Sequence, residues 1–139
     1  MGWGRAAPVG GWLARKFRMP PGWLLSSHAH HGRFAVVEPF CTLGDNNILW
    51  SGSTVCHGTR MGSHNFLAAG VVVGGECRIG DRCFFGFSST VREKVSVADE
   101  TLLGAQSLLL QDTAPFGAYL GVPARRRGEH EAEGLRIGR

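Results

Sequence analysis

The sequence predicts an all-β protein, a parallel β-helix of about 4–5 coils with an irregular N-terminal arm and a short C-terminal tail. Three observations predict it. From Val36 to Thr113 the chain reads as thirteen consecutive blocks of six without a slip. The second place of every block is apolar, from Val37 and Leu43 through to Leu103 and Leu109, and the sixth is small or medium, as at Cys41, Asn47, Ser53 and Thr59. The third place is glycine at Gly44, Gly62, Gly74, Gly80, Gly86 and Gly104. A period of six fits neither a helix nor a half-buried strand. It fits a chain wound into a prism, with one block on each flat face and three blocks to a coil.

The elements follow in order. At 139 residues the chain is read as one domain. Residues 1–23 are expected to form an irregular arm, because Gly2, Gly4, Pro8, Gly10, Gly11, Pro20 and Pro21 interrupt any period. Trp12 to Arg18 leaves room for two helical turns before Pro20. The helical prism is expected over 24–127. Leu25 and Ala29 keep the register, but His31 takes an apolar place, so the first coil should be irregular, as solenoid caps are. Residues eighteen apart should stack into three inward ladders. Val37, Val55, Val73, Val91 and Leu109 make one; Leu43, Met61, Ile79 and Val97 the second; Leu49, Leu67, Phe85 and Leu103 the third. Gly and Asn at the corners suit backbone with positive φ. A turn at Ala114-Pro115-Phe116-Gly117 ends the repeat, and residues 128–139 form a charged tail. So narrow a prism, with so much flat face, is a candidate for self-assembly.

Composition narrows the function. Hydrophobic content of 43% and charged content of 19% match an ordinary soluble chain, and no apolar run approaches the roughly 20 residues of a membrane helix. The basic N-terminus lacks the apolar stretch of a signal peptide. The formal charge of +4 gathers outside the repeat, in residues 1–37 and at Arg125-Arg126-Arg127, without the basic face and interleaved aromatics that nucleic acid requires. A solvated surface or, for the second cluster, a phosphate contact remains. Cys41, Cys77 and Cys83 occupy the inward sixth place and read as core. Cys56 follows an apolar residue, and no CxxC or zinc spacing occurs. A reduced, cytoplasmic chain without a metal is the expectation.

His57 stands at the fourth place of its block, an outward corner, and one coil later that place is Gly75, within Gly74-Gly75. An imidazole there can take a proton from an attacking hydroxyl or amine. A bare backbone N–H one coil away can hold an oxyanion. The plainer reading is a histidine on a wet corner. His64 lies at a different place in its block, and the pair lacks a third metal ligand. Trp50, beside Asn46, Asn47 and Ser51, serves either subunit packing or as a ring for a sugar or base.

Several ordered landmarks carry a resemblance. They are Asn47-Ile48-Leu49-Trp50-Ser51-Gly52, His57, Gly62, Phe66-Leu67-Ala68, Val71-Val72-Val73-Gly74-Gly75, Cys83-Phe84-Phe85-Gly86, Leu103-Gly104-Ala105 and Gly121-Val122-Pro123-Ala124-Arg125. Over residues 36–127 the chain resembles the hexapeptide-repeat acyltransferases, in the branch that acetylates nucleotide-linked amino sugars or sialic acid, as a short form without the N-terminal domain. The resemblance implies a left-handed helix, a hand that ordinary crossovers do not favour. It implies a homotrimer with acetyl-CoA in the groove between subunits. His57 would be the catalytic base and Gly75 would offer its amide to the thioester carbonyl, beside Gly74. Gly86 and Phe87 would line the pantetheine arm. Pro123, Arg125 and Arg126 would lie by the adenine and its phosphates. Asn47, Trp50 and His64 are the candidate acceptor contacts. Gly58 follows the base, so no side chain adjacent in sequence tunes it. The function expected is acetyl transfer to an amine or hydroxyl of a small, sugar-like acceptor. The alternative is a catalytically silent β-helix used for binding or assembly.

Overall fold

The computed structural model describes residues 30–129, so the expected arm and most of the expected tail lie outside the described residues, as do Leu25 and Ala29. The first coil contributes β1 (His30–His31), β2 (Val36–Val37) and β3 (Thr42–Leu43), and the second β4 (Ile48–Leu49), β5 (Thr54–Val55) and β6 (Arg60–Met61). The third holds β7 (Phe66–Leu67), β8 (Val72–Val73) and β9 (Arg78–Ile79), and the fourth β10 (Phe84–Phe85), β11 (Thr90–Val91) and β12 (Ser96–Val97). The last coil has β13 (Leu102–Leu103) and β14 (Leu108–Leu109), followed by β15 (Gly117–Leu120) and β16 (Arg125–Glu129). From β2 to β14 each two-residue strand points its first side chain outward and its second inward, because successive residues of a strand face opposite ways.

Three faces result. The first is β1-β4-β7-β10-β13-β15-β16, the second β2-β5-β8-β11-β14 and the third β3-β6-β9-β12. Pairing within the coils is parallel and offset by eighteen residues, as in Val37↔Val55, Leu43↔Met61 and Leu49↔Leu67. The whole is a left-handed parallel β-helix of about five coils. Among the described residues no helix is long and apolar enough to cross a membrane.

The prism axis is the core. Every second-place residue from Val37 to Leu109 is buried, and so is every sixth-place residue from Cys41 to Ser107. His31 heads the third ladder in register with Leu49, so the chain enters the helix one strand before the clean repeat begins. Asn47 is corrected by this geometry. It is 0% exposed. Its Nδ2 donates to Gly44 O and Gly62 O, both at 2.8 Å, and its Oδ1 accepts from Asn65 N–H at 2.9 Å. Such a side chain ties coils together from inside and has nothing left for an acceptor. Asn65 repeats the device one coil on, with Gly80 O and Cys83 N–H.

The corners differ from expectation in a second way. Positive φ falls at the fifth place, at every sixth residue from Phe34 to Gln106, and only Gly52, Gly58 and Gly70 in that series are glycine. Each corner spends one left-handed residue whatever its type, including Phe40, Arg82 and Lys94. The third-place glycines answer to a different constraint. A Cβ on Gly74 would stand 2.5 Å from Glu93 N, and one on Gly86 2.5 Å from Ala105 N. They are glycine because the next coil lies directly against them.

The C-terminal end is closed on all three faces. On the first, β16 pairs antiparallel with β15 and stays in strand to Glu129, two residues past the expected boundary. On the second, Leu108 N–H bonds Gly121 O and Ala124 N–H bonds Leu108 O. On the third, Asp112 and Thr113 side chains accept from Ser96 N–H and Ala98 N–H, both at 2.8 Å.

Candidate functional site

The corner between the second and third faces carries His57 on the second coil and Gly75 on the third. The His57 side chain is 64% exposed, and its ring lies over Gly75, which is buried beneath it. A Cβ on Gly75 would stand 2.8 Å from His57 Cε1 and 2.9 Å from Nε2. Only glycine leaves the imidazole this seat. The Gly75 N–H has no acceptor among the described residues, whereas its carbonyl is used by Lys94 N–H.

Glu38 completes the corner from the first coil, and sequence reasoning missed it. Its Oε2 accepts the His57 backbone N–H at 2.8 Å and lies 3.2 Å from Nδ1. An ionised carboxylate is only an acceptor, so Nδ1 carries the proton and Nε2 keeps its lone pair. The histidine is therefore held in one tautomer by the coil below, a contact its neighbour Gly58 cannot make. The signal was present: Glu38 is the one acid at the third place from Glu38 to Leu110, and it comes one coil before a fourth-place histidine.

Cys56, half-buried beside His57, is no rival nucleophile. Burial pushes its thiol up, and the Glu38 charge adds to that. The inward thiols of Cys41, Cys77 and Cys83 are also raised, mainly by burial.

The other candidate residues stand elsewhere in the chain. His64 lies on the corner between the third and first faces, its Nδ1 3.0 Å from Asn46 Nδ2. Asn46, exposed at the same corner, rather than its buried neighbour Asn47, presents its amide there. Trp50, Gly86 and Phe87 lie on the corner between the first and second faces, where Phe87 is 61% exposed. Pro123, Arg125 and Arg126 sit at the closed C-terminal end, and Arg126 pairs with Glu129 at 2.6 Å. One chain thus brings together His57, Gly74, Gly75 and Glu38 but not the remaining candidates. Among the described residues no three His, Cys, Asp or Glu side chains converge as a metal site would need.

Residues 58–93 match the family model described as bacterial transferase hexapeptide (six repeats). No curated protein matches the chain. Solved structures do. The acetyltransferase domain of PglB from Neisseria gonorrhoeae shares 23% identity at a TM-score of 0.74, covering 76% of this chain and 52% of that one. A mutant perosamine N-acetyltransferase from Caulobacter crescentus, in complex with CoA and GDP-perosamine, shares 24% at 0.66, covering 87% and 65%. A maltose O-acetyltransferase from Clostridium difficile shares 17% at 0.54, covering 72% and 68%. At these identities the likeness is one of fold. The chain spans about half the length of the first and about two thirds of the second.

Proposed function

We propose that this chain, whose residues 58–93 carry the bacterial transferase hexapeptide repeat, transfers an acetyl group from acetyl-CoA to an amine or hydroxyl of a small, sugar-like acceptor. The observation that carries the reading is the His57 ring seated on Gly75 with Glu38 at Nδ1. Nε2 is then the free base. It takes the proton of the acceptor amine or hydroxyl as that atom attacks the thioester carbonyl. The tetrahedral oxyanion is met by the Gly75 N–H, a donor fixed in place before the reaction. Collapse breaks the carbon–sulfur bond, and the imidazolium returns its proton to the departing CoA thiolate. A CoA lying along the corner would run from Gly74-Gly75 towards the C-terminal end. There Arg125 and Arg126 offer guanidinium groups to its phosphates.

Assembly belongs to the same proposal. The first face presents Ile48, Phe66, Phe84 and Leu102 outward, with Phe66 and Phe84 stacked at 5.4 Å, and the second presents Val36, Thr54, Val72, Thr90 and Leu108. Neither row carries a charge, whereas the third face carries Arg60 and Arg78. The corner between these two rows holds exposed Phe34, Trp50 and Phe87. A homotrimer with that corner on its threefold axis buries all of these. Trp50 and Phe87 then act in subunit packing. The same arrangement brings His57 of one subunit opposite the partner subunit's His64 and the partner subunit's Asn46, which supply the polar groups an acceptor requires.

The reading is tested by His57→Ala assayed with acetyl-CoA and a panel of amino sugars and their nucleotide-linked forms. The expected result is a kcat lower by about two orders of magnitude or more, with acetyl-CoA affinity nearly unchanged. Turnover at the wild-type rate in that variant overturns the mechanism.

A further inference from the structure

The outward row of the third face reads Thr42, Arg60, Arg78, Ser96 from coil to coil. Arg60 and Arg78 are direct register partners on β6 and β9, and both are exposed. Their backbones are one strand spacing apart, about 4.8 Å. Like charges placed opposite each other in a sheet destabilise it. Neither arginine has an ion pair among the described residues, whereas Arg82 holds Glu100 at 2.8 Å and Arg126 holds Glu129. Neither Glu76 nor Asp81, the carboxylates closest to Arg78 along the chain, pairs with these arginines, and Asp81 Oδ1 accepts the Ser63 N–H at 2.7 Å. The two ends of the row are hydroxyls, so the whole row can donate hydrogen bonds and contains no acid.

We propose that this row binds a diphosphate group. Each guanidinium is a planar fork of donors that fits a phosphoryl group bidentately. Two forks one strand apart suit two linked phosphoryl groups, with Thr42 and Ser96 beyond them as further donors. Arg60 follows His57 by three residues on the same coil, so the row begins where the candidate catalytic corner ends. A diphosphate could come from a nucleoside diphosphate carried by the acceptor or from CoA itself. The site does not depend on acyl transfer, because occupancy is measured without turnover.

Titration calorimetry of the full chain at low salt, with inorganic pyrophosphate, CoA and uridine diphosphate as separate probes, tests it. The variants are Arg60→Gln/Arg78→Gln and, as a control, Arg82→Gln. The double variant should bind pyrophosphate weaker by about tenfold or more, while the control binds like the wild type. Without ligand, the double variant should melt no lower than the wild type, since a repulsion is removed. A parallel loss for CoA assigns the diphosphate to the donor, and a loss for uridine diphosphate alone assigns it to the acceptor. A wild type that does not bind pyrophosphate, a smaller loss in the double variant, or an equal loss in Arg82→Gln overturns the proposal.

Discussion

Glu38 meets His57 twice, once at the backbone and once at the ring, and the two contacts do different work. The 2.8 Å bond to the N–H fixes the corner, and the 3.2 Å contact to Nδ1 fixes the tautomer. In Glu38→Gln the amide oxygen can still accept, but the charge that would stabilise an imidazolium is gone. The expected outcome is a kcat lower by about tenfold with KM for acetyl-CoA nearly unchanged, read by steady-state kinetics. An unchanged kcat would leave Glu38 with a structural role only. His57 was legible in the sequence because the period fixes which places face outward. Glu38 was not, because the contact crosses from the third place of one coil to the fourth of the next, and the period aligns like places only. Asn47 shares the inward sixth place of the buried cysteines, so the period itself argues against an acceptor contact; what the period does not show is how a buried amide is satisfied, here by Gly44 O, Gly62 O and Asn65 N–H.

The coil explains why glycine appears in two columns for two reasons. At the fifth place the backbone is left-handed, and at the third the next coil is too close for a side chain. The two should respond differently to alanine. Gly52 has open space around it but a φ of +70°, so Gly52→Ala is expected to cost about 1 kcal/mol, from conformation alone. Gly86→Ala forces a Cβ against the Ala105 backbone and should cost roughly 1–3 kcal/mol, as overpacking does. Chemical denaturation of both variants checks the ordering. The inward cysteines give the coil a pH signature. Burial pushes the Cys83 thiol up to about 11, and its Sγ lies 3.2 Å from Ala98 O. A thiol raised in the folded state contributes stability below its ordinary value of 9.0 and loses it as pH climbs towards about 11. Between those values the wild type should lose roughly 2–3 kcal/mol more than Cys83→Ser, measured as the difference between their denaturation curves. The faces and ladders were readable from the six-residue period. The left-handed fifth column was not, because the ten non-glycine residues there, of eight types, would not ordinarily be assigned a conformation that favours glycine.

At the scale of the whole molecule, the uncharged outward rows of the first and second faces, Ile48 to Leu102 and Val36 to Leu108, drive the proposed assembly. Phe84 is 43% exposed and stacks on Phe66 at the middle of the first face. Phe84→Glu should shift the sedimenting species from three copies towards one, while the circular dichroism of the β-helix is kept. A wild type that sediments as a single copy would dismiss the arrangement. Activity should be lost together with assembly, since the proposed arrangement sets the candidate acceptor groups of one copy across a groove from the candidate base of another. The closed C-terminal end bears on a different hazard. A stack of parallel coils is its own template, for its last coil offers the next molecule the same ladder of donors and acceptors that the previous coil offered it. Here β12 and β14 have those groups occupied by Asp112, Thr113, Gly121 and Ala124, and on the first face the direction of the chain is reversed. The final strand also leads with Arg125, Arg126 and Arg127, whose charges would repel an identical end. Elongation into a fibre is stopped at this pole by the same eighteen residues, 112–129, that finish the fold.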